Sequence, residues 1–377
     1  MQLKLISRQL IFDEGSCFCE CHASTLALLP DGRVAVAYFA GTREKSPDTA
    51  IWFSRQRPRG DGEPRTFEPG TFEPRTLEPH TFEPGTFEPR TFEPHTFEPD
   101  TLEPGTFEPR TFEPPRKIAD TPDIPCWNPV LQADGGKLIL YFKSGHEIPE
   151  WRTLTTESDD LGDSFGEIHE LVPGDVGGRG PVKNKCIVLH DRTLLAPASI
   201  ETSERWDCFV DRFDGSDWQR SDFFPIDHSK LSGKGIIQPT LWEDDAHIVH
   251  ALMRSTEGCI MRSSSSDGGV SWSPVVRTSL ANNNSGIDCV RLDDGRVVLA
   301  CNTASGNWAP RSTLALFVSD DNGKSWSEPY IVENEPPTPD TPPAEFSYPA
   351  IIASGNRVLL SYTWKRRSIA FCEFEII

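Results

Sequence analysis

Short runs of apolar residues recur along the chain, bounded in most places by Gly, Asp or Asn. Clear examples begin at Arg33, Lys137, His247 and Arg357. The first follows an Asp-Gly pair and the second follows a Gly-Gly pair. Runs of four to eight residues rich in β-branched and aromatic side chains, separated by such turn residues, predict strands. The pattern therefore indicates an all-β protein.

The predicted strands belong to a unit that occurs six times. Each unit opens with a polar residue and continues with an apolar strand, a glycine turn and a second strand. The openings are His22, Asn128, Asn184, Gln238, Ser285 and Tyr348. The intervals between them are 106, 56, 54, 47 and 63 residues, and a fifty-residue array accounts for the excess in the first. Such a period is typical of β-propellers, so we predict an all-β, six-bladed β-propeller whose last blade is completed by residues 3–12.

A second motif, Ser-x-Asp-x-Gly-x-Ser-aromatic, occurs three times. The copies run from Ser158 to Phe165, from Ser265 to Trp272 and from Ser319 to Trp326. An Asp in this position accepts hydrogen bonds from the amides of its own turn, and the Gly accepts a positive φ. We therefore interpret the motif as structural and expect Trp272 and Trp326 to be buried between blades.

Low-complexity sequence interrupts the first unit. Residues 66–115 are ten copies of a five-residue unit, Thr-(Phe or Leu)-Glu-Pro followed by a variable residue. A proline in every unit removes backbone donors, and one apolar side chain per unit cannot build a core. We expect a single propeller over residues 1–377, with a disordered insert at residues 61–115 inside its first blade.

The charge and the cysteine content narrow the functional classes. The net charge of -20 repels phosphate backbones, so we expect no nucleic-acid partner. No run of 18 apolar residues occurs, and we expect no membrane association and a cytoplasmic location. Most of the ten cysteines are then expected to be reduced. Scattered histidines and the lack of a phosphate-binding loop predict neither a metal nor a cofactor.

The propeller geometry yields candidate site residues, because the innermost strands of all blades converge on one axis. Residues that open these strands, and residues that end the strands after them, should meet at one face. They are His22, Asn128, Lys183, Asn184, Lys185, Gln238, Asn283, Asn284 and Tyr348 at the openings, and Arg43, Arg254, Asn302 and Trp364 at the following ends. Such a ring of amides, charges and aromatic rings is typical of a sugar-binding site.

With these motifs the chain resembles the Asp-box (BNR repeat) sialidase superfamily, and most closely its sialidase-like branch. The resemblance covers nearly all of the sequence outside the array. It is carried by strings at residues 21–25, 41–44, 180–185, 237–242, 282–288 and 347–350, among them Cys-His-Ala-Ser-Thr, Gly-Pro-Val-Lys-Asn-Lys and Ser-Tyr-Pro-Ala.

The resemblance implies a carboxylate-binding site. Family sialidases bind the substrate carboxylate with three arginines, use a tyrosine nucleophile that a glutamate activates, and protonate the leaving group with an aspartate. Arg254 and Arg311 match two of the arginines, and Tyr348 matches the nucleophile. Planar guanidinium groups suit two-point binding of a carboxylate.

Three positions depart from the family pattern or match it loosely. His22 stands where the first arginine would be, and Gln238 stands in place of the activating glutamate. Asp48 is the nearest counterpart of the acid. A tyrosine without a neighbouring carboxylate is a weak nucleophile near neutral pH.

Three hypotheses follow for the function. The first is an exo-acting glycoside hydrolase on an acidic glycan that carries sialic or uronic acid. The second is a lyase or hydrolase of rhamnose-glucuronate type, with His22 as the proton carrier. The third is a propeller that binds acidic glycans without turnover.

Overall fold

A computed structural model describes residues 3–58, 110–176 and 178–377. The predicted disorder of the array falls almost entirely outside these ranges. Apart from two short 3-10 helices at Ile148–Glu150 and His228–Lys230, the regular secondary structure of the described residues consists of strands, joined by turns and loops.

Twenty-four strands follow one another in the described part of the chain. The first twelve are β1 (Leu3–Leu10), β2 (Glu20–Leu28), β3 (Val34–Gly41), β4 (Ala50–Arg55), β5 (Arg116–Ala119), β6 (Cys126–Asp134), β7 (Lys137–Ser144), β8 (Arg152–Ser158), β9 (His169–Glu170), β10 (Ile187–Val188), β11 (Leu194–Glu201) and β12 (Trp206–Phe213). The others are β13 (Trp218–Arg220), β14 (Ile236–Glu243), β15 (Val249–Ser255), β16 (Cys259–Ser265), β17 (Val276–Ala281), β18 (Asp288–Arg291), β19 (Val297–Asn302), β20 (Thr313–Ser319), β21 (Tyr330–Asn334), β22 (Phe346–Ser354), β23 (Arg357–Trp364) and β24 (Ser368–Ile376).

These strands form six antiparallel sheets of four strands, which are the six blades of a β-propeller. Blades 1 to 5 are β2–β5, β6–β9, β10–β13, β14–β17 and β18–β21, each in simple up-and-down order. Blade 6 has the order β1-β24-β23-β22, so β1 is its outermost strand. The predicted fold and the predicted closure by the first strand are both confirmed.

The array lies in sequence between β4 and β5 of blade 1. Backbone hydrogen bonds join the segment that precedes the array to the segment that follows it. The amide of Arg57 donates to the carbonyl of Thr111 over 2.8 Å, and the amide of Glu113 donates to the carbonyl of Arg55 over the same distance. Phe112 is buried and packs its ring edge against Phe371, with centroids 5.3 Å apart. The last copy of the unit therefore belongs to the blade.

Apolar side chains fill the spaces between neighbouring blades. One cluster joins Leu195 and Val210 of blade 3 to Leu241 and Met253 of blade 4, and Trp272 lies within it. Burial of apolar surface contributes about 25 cal/mol per Å². Packing between blades therefore contributes to the stability of the ring.

The three Asp-box turns share one geometry. In the second copy the Ser265 hydroxyl donates to the Asp267 carboxylate over 2.7 Å and accepts from the Gly269 amide over 2.8 Å. Gly269 has a φ of 83°, which favours glycine. Trp272 is buried and stacks on Phe224 at 4.1 Å, as predicted. Trp326 is only half-buried, which corrects the expectation for that ring.

All ten cysteines lie within the described residues, and each is a thiol without a disulfide partner. No helix among the described residues is long and apolar enough to cross a membrane.

Candidate active site

Close to the start of the innermost strand of every blade lies a residue in the left-handed region of backbone conformation. These residues are Ala23, Asn128, Lys183, Gln238, Asn284 and Tyr348, with φ between 34° and 68°. In four blades the pairing with the second strand shifts register at this point. Non-glycine residues with positive φ are uncommon and often lie at functional sites. Six at equivalent positions place the unusual backbone at one end of the propeller axis.

A cavity of about 150 Å³ lies at this end of the axis. It is lined by strand residues of blades 1, 2, 3, 4 and 6 and by residues of the connecting loops. The lining residues are His22, Glu44, Trp127, Asn128, Ile148, Trp151, Glu201, Ile237, Gln238, Arg254, Trp308, Arg311, Tyr348 and Arg366. A second cavity of about 330 Å³ shares Trp308, Arg311 and Arg366 with it. The two cavities therefore adjoin along these three residues.

Arg254 organises the floor of the cavity. Its side chain is buried, and Nη1 donates to the Gln238 Oε1 over 3.0 Å and to the Tyr348 hydroxyl over 2.9 Å. Its Nε donates to the Asn284 Oδ1 over 3.0 Å, and Nη2 donates to the Asn284 carbonyl. All three nitrogens of this guanidinium thus have protein acceptors, none of which is a carboxylate.

Tyr348 lies among cations and beside an imidazole. The guanidinium carbons of Arg254 and Arg311 lie 5.6 and 5.5 Å from the centre of its ring, and the Lys183 ammonium lies 6.0 Å away. The His22 ring lies 4.2 Å from the Tyr348 ring, centre to centre. Negative charge that develops on the phenol oxygen would be stabilised by the donor of Arg254 and by these cations.

His22 is enclosed and neutral. Its Nδ1 is 2.8 Å from the hydroxyl of Thr363, and only 2% of the residue is exposed. Burial, reinforced by the charge of Arg366, lowers the pKa of His22 well below its usual value. The ring therefore packs and orients Tyr348 in a neutral form.

Two further arginines on the cavity wall share a carboxylate. Nη1 of Arg311 donates to the Glu345 Oε1 over 3.1 Å, and Nε of Arg366 donates to its Oε2 over 2.8 Å. Arg366 also forms an ion pair with Glu44. Burial alone would raise the pKa of Glu345, but the adjoining arginines outweigh it and hold that pKa well below the usual range. Glu345 is therefore a permanent counter-charge.

Glu201 differs from the other acids of the cavity. It ends β11 and is half-buried, and among the described residues no donor lies within hydrogen-bond distance of its carboxyl group. Burial raises its pKa, although Arg254 and Lys234 oppose the shift. A carboxyl group whose pKa is raised at the wall of a cavity is a candidate proton donor.

Three tryptophans give the cavity aromatic walls. Trp127 and Trp151 lie 5.1 Å apart at one side, and Trp127 donates to the Gly145 carbonyl over 2.9 Å. Trp308 stands at the opposite side with 65% of its surface exposed, and the Arg311 guanidinium lies 5.8 Å from its ring. Flat apolar faces beside polar groups are typical of sugar-binding sites.

The structure brings together many of the predicted site residues. His22, Asn128, Gln238, Arg254, Arg311 and Tyr348 line the cavity. Asn284 accepts a hydrogen bond from Arg254, which lines the cavity, and its own amide group donates to the Asn307 side chain over 2.9 Å.

Other predicted site residues lie outside the cavity lining and hold the backbone. Their side chains bind backbone carbonyls or a carboxylate of other strands and loops around the axis. Lys183 donates to the Ile287 and Pro349 carbonyls, Asn184 to the Gln238 and Pro239 carbonyls, Lys185 to Asp288, Asn283 to the Ala309 and Pro310 carbonyls, and Asn302 to the Arg311 and Phe346 carbonyls. These hydrogen bonds account for the burial of polar side chains near the axis. Burial lowers the pKa of Lys183 to about 7.

The remaining three candidates lie at the edge of the site. Asp48 is exposed and accepts from the amide and the hydroxyl of Thr42 over 3.0 and 2.7 Å, so it caps its own loop. Arg43 is an exposed residue of that loop, and neither residue lines the cavity. Trp364 packs beneath Lys365, whose ammonium is 4.6 Å from its ring.

Several cavity residues are absent from the sequence-based set. They are Glu44, Trp127, Trp151, Glu201, Trp308, Glu345 and Arg366. Trp127 and Glu345 are adjacent or close in sequence to predicted residues, and a wider window around each opening would have included them. Arg366 lies in the turn between β23 and β24 at a φ of 55°, without the glycine that usually marks such a turn.

Comparisons with known proteins agree with this architecture. The family model described as BNR repeat-like domain matches residues 106–360. The curated proteins include no match to the sequence.

Solved structures match over almost the whole chain. A protein of unknown function from Dyadobacter fermentans has 14% identity and a TM-score of 0.69, covering 100% of this chain and 99% of its own. The NanB sialidase of Streptococcus pneumoniae has 13% identity and a TM-score of 0.64, covering 98% and 70%. Trypanosoma rangeli sialidase, solved with the inhibitor DANA, has 13% identity and a TM-score of 0.63, covering 97% of this chain and 59% of its own.

The family model spans more than half of the sequence, and the likeness to sialidases extends around the full ring of blades. The chain therefore belongs to the BNR repeat-like family and is a sialidase-like propeller of the Asp-box superfamily.

Proposed function

We propose that the chain is an exo-acting glycoside hydrolase for glycans that end in a carboxylated sugar, such as a sialic or a uronic acid. The observation that supports it most is the position of Tyr348, whose ring and hydroxyl face Arg254 and Arg311 inside the cavity. Sialidases of the same fold, one of them solved with sialic acid, support a glycan as the ligand.

The proposed carboxylate contact is Arg311 rather than Arg254. Arg254 has protein acceptors for all three nitrogens, whereas in the described residues only Nη1 of Arg311 donates to a protein group. Arg366 lies beside it on the same wall, joined through Glu345. A carboxylate that approaches the remaining donors of Arg311 would gain charge-assisted hydrogen bonds.

The proposed chemistry uses Tyr348 and Glu201. Tyr348 loses its proton to solvent, and its oxygen attacks the anomeric carbon while Glu201 protonates the departing glycosidic oxygen. Water then attacks the anomeric carbon, Glu201 takes up a proton from it, and the bond to Tyr348 breaks. The adjoining larger cavity offers space for the leaving part of the glycan.

The position of His22 does not favour the lyase that depends on this residue. A base must accept a proton, but burial lowers the pKa of His22 well below the usual value and makes that step costly. Its Nδ1 is also occupied by the Thr363 hydroxyl.

A binding protein without turnover is the second candidate. It is favoured by Gln238, which accepts a hydrogen bond from Arg254 at the position where the family carries an activating carboxylate. An amide cannot take a proton from Tyr348.

Fluorogenic α-sialosides and β-glucuronides, with a neutral β-glucoside beside them, test the proposal. The wild-type chain should cleave an acidic substrate, Tyr348→Phe should lose turnover, and Glu201→Gln should lose it by about 10²- to 10⁴-fold. Glu204→Gln, an exposed glutamate three residues further on, is the matched control and should keep wild-type rates. The variant Asp48→Asn distinguishes Glu201, the acid inferred from the cavity, from Asp48, the acid inferred from the sequence.

Two results would overturn the enzyme proposal. Saturable binding of an acidic sugar by the wild type, with no product released, would leave the binding protein. Equal rates for wild type and Tyr348→Phe would remove the nucleophile.

A further inference from the structure

Two histidines and a glutamate meet at the seam between blades 3 and 4. His190 lies in the turn between β10 and β11, Glu243 is the last residue of β14, and His247 lies in the turn between β14 and β15. Gln238 and Arg254 of the cavity lie at the opposite ends of β14 and β15. The cluster is therefore on the face of the propeller away from the proposed active site.

The donor atoms of the three residues are close together. His190 Nδ1 is 2.6 Å and His247 Nδ1 is 3.7 Å from the Glu243 Oε1, and one donor atom from each residue lies within 4.8 Å of the others. The two imidazoles stack with their centres 3.6 Å apart. The other oxygen of Glu243 accepts from the His190 amide over 2.9 Å, which fixes the carboxylate.

The spacing suits a small divalent ion. Ligands of tetrahedral zinc, at bonds of 2.0–2.2 Å, lie about 3.4 Å from one another. The two separations given above lie on either side of that value, so small rotations of the exposed imidazoles would bring them to it. Two imidazole nitrogens and one carboxylate oxygen form a ligand set that zinc uses in proteins, with a fourth position left for water.

The local charge favours a cation as well. Among the described residues the ion-pair partners of Glu243 are the two imidazoles, with no lysine or arginine. Asp191 and Asp244 adjoin the histidine and the glutamate in the chain and add further negative charge. The side chains of His190 and His247 are 50% and 56% exposed, so an ion can reach them from solvent.

We propose that His190, Glu243 and His247 bind one divalent ion of the zinc class, which joins the turns of two neighbouring blades. The ion replaces a stack of two imidazoles around a shared carboxylate with three metal–ligand bonds. It stabilises the contact between blades 3 and 4 and has no part in the glycan chemistry on the other face.

Zinc titration of the untagged full-length chain, followed by calorimetry, tests the site, and Co²⁺ absorption reports the geometry. We expect one saturable site, the intense visible bands of four-coordinate cobalt, and a thermal midpoint that rises with zinc concentration. His190→Ala and His247→Asn should each weaken zinc binding at least tenfold and abolish the thermal shift. Asparagine is chosen at position 247 because its φ is 60°.

His169→Ala, an exposed histidine on β9 of blade 2, is the matched control and should bind zinc like the wild type. Variants that melt like the metal-free wild type show that the fold is intact. The proposal is overturned if zinc binds the two cluster variants as tightly as the wild type, or if the wild type shows no saturable binding below millimolar zinc.

Discussion

The Asp-box turns and the axial cavity use the same repeat in opposite ways. At the turns, three copies present the same serine, aspartate and glycine contacts, which are satisfied within eight residues. At the cavity, six equivalent positions near the strand openings carry five residue types, with asparagine at two of them. The repeated contacts of the Asp-box turns maintain the structure of each blade, whereas the residues that differ between blades at the axis form the candidate site. In this fold, the candidate functional residues lie at those positions of the repeat where the residue type varies from blade to blade.

The largest expected effect concerns the aromatic rings of the turns. Trp272→Ala should lower the free energy of unfolding by about 3 to 5 kcal/mol, because a buried ring stacked on Phe224 is removed. Trp326→Ala should cost less than Trp272→Ala, since more of that ring is exposed to solvent. Urea denaturation measures both. Equal losses would show that exposure of the ring does not distinguish the two turns.

The next effect separates the two cavity arginines. Arg311→Lys should weaken binding of a sialic or uronic acid by about 1.5 to 3 kcal/mol while the methyl ester of the same sugar binds unchanged. Arg254→Lys should instead lower the melting temperature, because its guanidinium satisfies Gln238, Tyr348 and Asn284. Calorimetry on acid and ester decides it. An Arg311 variant that loses both ligands equally would contradict the carboxylate contact.

A smaller effect tests the charge of an Asp-box. Burial is the largest single influence on Asp321 and opposes its charge, but the hydrogen bonds from Ser325, Ser319 and the Lys324 amide together outweigh it and lower the pKa to about 2. The carboxylate thus contributes stability above about pH 4, which is lost as the pH falls towards 2. Asp321→Ala should cost about 1 to 2 kcal/mol at pH 7 and flatten this acid limb.

Its neighbour Asp320 is exposed and serves as the control for that experiment. Asp320→Ala should keep both the stability and its dependence on acid. If the two variants follow the same pH profile, the turn contacts do not set the acid limb.

The smallest effect is expected from the array. Replacing residues 62–109 with a short Gly-Ser linker should leave the thermal midpoint nearly unchanged, because the entropy of closing a loop grows slowly with its length. The backbone hydrogen bond between Arg57 and Thr111 remains in that variant. A large fall in the midpoint on scanning calorimetry would give the array a structural role.

The sequence predicted the fold because the signals that indicate a propeller are local. The period, the turns around Gly269 and Gly323 and the polar openings can all be read without knowing how blades pack. It predicted the part of the site that lies at those openings, such as Gln238 and Tyr348.

Glu201 and Arg366 could not be found in this way. Glu201 is an ordinary charged residue at a strand end, and its raised pKa arises from burial by other blades. Arg366 enters the site through an unusual turn. The position of Asp48 in the sequence indicated an acid, whereas in the fold its carboxylate accepts a hydrogen bond from the Thr42 hydroxyl. Contacts between distant segments decide these roles, and one-dimensional patterns do not contain them.

The pairing of β1 with β24 has a consequence for synthesis in the cell. Leu3 pairs with Ile376 and Leu10 with Ala370, so the sixth blade joins segments that are made at very different times. At roughly 5 to 20 residues per second, β1 leaves the ribosome tens of seconds before its partner. During that interval it is an unpaired strand that other chains could engage. The ring can therefore close only after β24 has emerged, and β1 has to be kept available for it until then.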